Sequence, residues 1–167
     1  MAFWRKLLTK IAGNSNAVQN TKSQSYPAVM DPSLVGTFPA LTKSGGGFVW
    51  DEVLEYRVWS HPERGAPDEF DGSDFYDAFD NYADALDFSL SNPGTEDPLA
   101  LVLQREHINE PEPGKFEHVT DERITEWRVE WLNRSRRTAR TIPDFFSPDA
   151  PANRLEILRG EVDPQPT

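Results

Sequence analysis

Leu99-Ala100-Leu101-Val102-Leu103 is a continuous apolar run, bounded by Pro98 on one side and polar residues on the other. Such a run fits a central β-strand buried on both faces. The segments around it are punctuated as strands and turns. Val53-Leu54-Glu55-Tyr56-Arg57-Val58-Trp59 is rich in β-branched and aromatic residues and reads as a strand. His61 to Pro67 holds two prolines and a glycine and reads as a loop, since neither ladder nor helix continues through it. Phe75 to Phe79 predicts a short strand, and Asp80 is suited to cap a helix over about 81–91, which Asn92-Pro93-Gly94 ends. A continuous helix from Asp74 is the alternative, because Phe75, Phe79, Tyr82 and Leu86 keep helical spacing. Glu110 to Gly114 is a turn, Phe116 to Val119 an edge strand, and Ile124 to Trp131 a half-exposed strand whose alternation slips at Trp127, as at a β-bulge.

These elements predict one α+β domain over 48–160, an antiparallel sheet of about four strands with one main helix packed on it. A chain of 167 residues is long enough for one domain and hardly for two. Residues 13–47 are rich in Ser, Asn, Thr, Gly and Pro and read as a flexible linker, with Tyr26, Val29, Leu34 and Phe38 the available anchors. Residues 1–12 place Phe3, Trp4, Leu7, Leu8 and Ile11 at helical spacing among three bases. They read as a frayed terminus, or as a basic amphipathic helix for a membrane surface or partner groove. Residues 161–167 read as a disordered tail. The absence of cysteine excludes disulfides, thiolate metal sites and thiol nucleophiles, and fits a cytoplasmic location.

Charge is segregated. Residues 51–97 carry fourteen acids against Arg57 and Arg64, while 123–140 carry six arginines against two glutamates. The net charge of −11 argues against general nucleic-acid binding. Arg134, Arg136, Arg137 and Arg140, with Trp131, form a candidate partner-binding patch. They could also dock the acidic 68–87 face of the same chain, or simply be solvated. Trp59, Trp127 and Trp131 read as core or interface anchors.

Glu55 to Trp59, His61 to Gly65, Pro98 to Glu106, Glu110 to Gly114, Arg123 to Trp127 and Ile142 to Phe145 together resemble short bacterial proteins named as GNAT-type acetyltransferases. The resemblance covers about residues 53–160 and implies acetyl-CoA as cofactor. The family's phosphate cradle, Arg/Gln-x-x-Gly-x-Gly/Ala at a helix N-terminus, has no counterpart here; Gly45 to Gly47 precede a strand.

Other chemistry is sparse. His61, with Glu63 and Arg64 in its loop, is a candidate general base. Arg57, Tyr76 and a strand glutamate, Glu106 or Glu126, could frame a dinucleotide; the plainer expectation for Arg57 is an ion pair across the sheet. His61, His107 and His118 could converge on a metal, and Asp68, Asp71, Asp74 and Asp77 could form a calcium loop. Neither has an established ligand spacing, so the sequence reading assigns no metal. It expects a non-catalytic intracellular binding module without cofactor, meeting a protein partner that could be acidic, with an acyltransferase as the alternative.

Overall fold

A computed structural model describes residues 25–163. The amphipathic segment expected at 1–12 and residues 164–167 of the expected tail lie outside them. The chain is α+β. Its elements are β1 (Lys43–Ser44), β2 (Glu52–Ser60), β3 (Phe75–Phe79), α1 (Tyr82–Ser91), β4 (Leu99–Gln104), β5 (His107–Glu112), β6 (Lys115–Val119), β7 (Arg123–Arg128), α2 (Thr141–Phe145) and α3 (Arg154–Leu158). The main sheet has the order β1-β7-β4-β2-β3, antiparallel except for the β1–β7 pair, and β5–β6 form a separate hairpin. No helix among the described residues is long and apolar enough to cross a membrane.

The apolar run of β4 lies at the centre of the sheet, as its composition requires. One face of the sheet packs Tyr56, Val58, Ala100, Val102 and Trp127 against Ala85 of α1. The helix is capped by Asn81, whose side chain accepts the Asp84 amide, rather than by Asp80. The opposite face carries Glu55 and Arg57 from β2 and Leu101 and Leu103 from β4. A third cluster joins Val49 and Ile108 to Ile142 of α2 and Phe145.

Two expectations change. The slip at Trp127 is not a bulge: β7 ends at Arg128 and Val129–Asn133 wind into a 3₁₀ turn that buries Val129 and Leu132. The sheet's bulge lies in β2, between Val53 and Glu55. Residues 25–47 are also not a free linker. Tyr26, Val29 and Val35 join the helix-side cluster, and Phe38 packs beside Leu54, Leu101 and Leu103 on the other face. Met30 N–H donates to Val53 O, Tyr56 Oη to Pro27 O, and β1 adds to the sheet beside β7. Composition favours disorder when a segment must bury its own surface; this one borrows the surface of a sheet already formed.

Candidate functional site

Four groups of residues with chemical potential are distributed over the sheet. Arg57 lies fully buried on the face opposite α1. Its Nε donates to Glu55 at 2.7 Å and its Nη1 to Glu126 at 2.8 Å, across β4. Two more donors reach Ala40 O and Pro39 O, and the guanidinium stacks 4.4 Å over the Tyr76 ring. Glu55 also accepts the Gly36 amide, Tyr76 Oη donates to Phe38 O, and Trp59 Nε1 donates to Glu126. Arg57, Tyr76 and Glu126 thus do come together, but the chain at 36–40 seals them. The cluster clamps the N-terminal arm to the sheet and leaves no opening for a dinucleotide. Glu106 is not part of it.

The arginine block is spent inside the molecule, though not on the acidic 68–87 face. Arg137 pairs with Asp51 at 2.7 Å and with Glu106, and its amide donates to Trp50 O. Hydrogen bonding to Asp51 raises the Arg137 pKa above its ordinary value, against the opposing effect of burial. Arg136 binds Asp51 O and Glu52. Arg134 lies over the rings of Trp127 and Trp131, 5.3 and 5.1 Å from their centroids, and burial lowers its pKa. Trp131 is half-buried and packs edge-on against the fully buried Trp127. Arg140 makes an exposed pair with Asp144 at 3.3 Å. Asp51 and Glu52, placed where β2 begins, were the unnoticed partners of this block.

The glycine run is structural. Gly45, Gly46 and Gly47 have φ of 59°, 77° and 79°. Gly46 O accepts from Trp127 Nε1 and Gln104 Nε2, and a Cβ on Gly47 would meet Gln104 and Arg123 at 2.3 to 2.7 Å. Left-handed backbone and close approach both demand glycine here. At the beginning of α1, Asn81 holds the Asp84 amide and Asp80 and Asp84 surround the terminus.

The histidines do not converge. β2 and β4 run antiparallel, with Glu52 opposite Leu103 and Arg57 opposite Leu99, so His61 and the segment beyond Gln104 lie at opposite ends of the sheet. His107 is buried there, opposite Val119 on the hairpin. Burial lowers its pKa, and Arg123 and Lys43 lower it further. His118 sits beside Glu106, Nε2 to Oε2 2.6 Å.

His61 is different. The register pairs Ser60 with Phe75 on one side and Ser60 with Thr95 on the other. The next residues out are therefore drawn together. His61 Nδ1 lies 3.0 Å from Asp74 Oδ1 and 3.8 Å from Glu63 Oε1, and Nε2 lies 3.0 Å from Glu96 Oε1. The ring is buried, yet neither nitrogen has a hydrogen bond of acceptable geometry. Arg64 Nη1 holds Glu96 at 2.9 Å. Backbone bonds from His61 N–H to Gly94 O, from Ala66 N–H to His61 O and from Glu96 N–H to Trp59 O fix the loop. Gly94 must be glycine, since its φ is 73° and a Cβ would lie 2.2 Å from Ala66 N. The sequence set Glu63 beside His61, placed Asp74 in a separate calcium loop and did not single out Glu96; the strand register is what brings them together.

Comparisons with protein-family models, with curated proteins and with solved structures find no match.

Proposed function

We propose that this protein is a non-catalytic binding module that meets a basic segment of a protein partner through its acidic face. One observation carries the reading. Residues 61–97 hold eleven acids against Arg64 alone, and the arginines beyond β7 are engaged elsewhere: Arg136 and Arg137 by Asp51, Glu52 and Glu106, Arg140 by Asp144, and Arg134 over Trp127 and Trp131. Among the described residues, Asp68, Asp71, Asp80, Asp84, Asp87 and Asp97 form no ion pair within the chain. The outer strand β3 carries acids at both ends, Asp74 before it and Asp80 after it, and Asp84 and Asp87 are exposed on the helix that follows. A face of one sign raises the encounter rate with a partner of the opposite sign and gives it orientation. The arginines suggest an acidic partner; with Arg136, Arg137 and Arg140 paired within the chain, the partner proposed is basic.

The test is to recover partners from the source cells on the full chain and then measure association rates at rising salt. Association should slow with salt and with the change Asp80→Asn, Asp84→Asn, Asp87→Asn, and dissociation should change less. A partner whose binding ignores the acid-to-amide variant overturns the reading. Micromolar binding of acetyl-CoA in a calorimeter would favour the acyltransferase reading instead.

A further inference from the structure

We infer that His61, Glu63 and Asp74 form a binding site for a divalent transition-metal cation of the zinc class, with Glu96 as the outer support of the histidine. The inference is independent of the partner reading above. It starts from an anomaly. A buried imidazole nitrogen without a hydrogen bond is costly, because it has given up water for nothing. His61 has two such nitrogens, and its side chain is only 9% exposed. Each nitrogen is nevertheless faced by a carboxylate oxygen at 3.0 Å. The ring is aimed into a group of oxygens without donating along its N–H directions.

The spacing suits a cation. One ligand atom each from His61, Glu63 and Asp74 lies within 4.8 Å of the others. The contacts to Nδ1, 3.0 Å and 3.8 Å, bracket the edge of about 3.4 Å expected between ligands of a tetrahedral ion with bonds of about 2.1 Å. One nitrogen and two carboxylates leave a further position open, for water or an anion. The mixed nitrogen and oxygen set suits zinc better than calcium or magnesium, which take oxygen.

Two features beyond the ligands agree. A metal-bound histidine commonly presents its other nitrogen to a carboxylate, which fixes ring orientation and tautomer. With Nδ1 on the cation, Nε2 faces Glu96, and Arg64 holds Glu96 in place. The charges also balance. Glu63, Asp74 and Glu96 carry three negative charges and Arg64 one positive, and the two left over equal the charge of a divalent ion. The ligands come from the residue after β2, a 3₁₀ turn at Pro62–Arg64 and the residue before β3. The backbone of His61 is tied to Gly94 and Ala66, and the strand register sets Asp74 beside it, while the exposed Glu63 side chain closes on the ion.

The experiment uses the full chain stripped with chelator and titrated with Zn²⁺ in a calorimeter, with Mg²⁺ and Ca²⁺ as separate probes. One equivalent of zinc should bind, and magnesium and calcium should bind far more weakly. His61→Ala and Asp74→Asn should abolish that event. Glu96→Gln should weaken it by about 10- to 100-fold, as loss of such an outer partner does. His118→Gln should leave it unchanged. Imidazole resonances give a second readout that survives if a variant folds poorly. The chain has three histidines, and zinc should shift only one set, the set missing in His61→Ala. Zinc binding that persists in His61→Ala, equal affinity for calcium, or no stoichiometric binding at all would overturn the inference. In the last case His61 is an ion-pair partner of Asp74 and Glu96 and nothing more.

Discussion

Arg57 and His61 leave the same stretch of chain four residues apart, and both are buried. Their surroundings differ in kind. Arg57 has its Nε and both terminal nitrogens engaged, by two carboxylates and two carbonyls, and an aromatic ring lies beneath it. His61 is faced by three carboxylates and hydrogen-bonded to none. A buried polar group whose nitrogens are all engaged is part of the framework. One that is buried and unsatisfied calls for a reason, and at His61 the surrounding carboxylates fit the cation proposed above. Burial alone would have ranked the two alike; the count of satisfied donors separates them.

The Arg57 cluster should respond most to substitution. Arg57→Met leaves Glu55 and Glu126 facing each other without their cation. Removing one partner of a buried ion pair costs about 3–5 kcal/mol, so the urea midpoint should fall sharply. Cleavage of the arm at 36–42 should accelerate with it, because Pro39 O and Ala40 O lose their donor. A midpoint near that of the unaltered chain would mean the cluster is not the clamp described. Next is Arg137→Ala. Its partner Asp51 is almost fully enclosed and would keep only the Arg105 amide and a 3.7 Å contact to Arg105 Nη1, so losing the pair should cost about 1–3 kcal/mol by chemical denaturation. His61→Gln should cost less than about 1 kcal/mol in metal-free protein, since no hydrogen bond is lost. A loss as large as that at Arg57 would erase the distinction. At the weak end, Arg140→Ala removes an exposed pair and should shift stability by less than about 0.5 kcal/mol.

His107 gives a dependence on pH. Its pKa is lowered in the fold by burial and by Arg123 and Lys43, so the unfolded chain takes up a proton before the folded one does. Its neutral form supports the fold fully above the ordinary histidine value of about 6.5. That support is lost as pH falls from there toward the lowered folded value. Melting temperatures measured on descending from neutral pH should fall, and His107→Leu should fall less steeply.

Much of the frame was readable from local signals. The strands at 53–59, 75–79 and 99–103, the helix near 81–91 and the role of Arg57 as a cross-sheet ion pair all rest on composition and spacing, which act over a few residues. Of the four anchors offered by the sequence, Tyr26, Val29 and Phe38 pack on the sheet and Leu34 stays exposed, and the order of the arm that carries them was not legible. Its hydrogen bonds go to residues such as Tyr56, Arg57 and Thr125, far away in sequence. The same reason hid the arginine partners Asp51 and Glu52 and the two carboxylates that complete the His61 group. Fixed by register, they become visible only once β2, β3 and the segment at Thr95 are aligned. The strand ending at Arg128 was overextended because Val129 and Trp131 continue an alternation that a 3₁₀ turn also satisfies.

The parallel pairing of β1 with β7 also sets an order of events when the protein is made. Lys43 O accepts from the Thr125 hydroxyl, a partner 82 residues further along the chain. At ribosomal speeds of about 5–20 residues per second, the arm emerges roughly 4–16 s before the strand it must join. During that interval β1 has no neighbour, and the sheet face meant for residues 36–40 is still being assembled. β1, early to leave the ribosome, is therefore among the last strands to find its place, and the nascent molecule must keep it free of competing strands until β7 arrives.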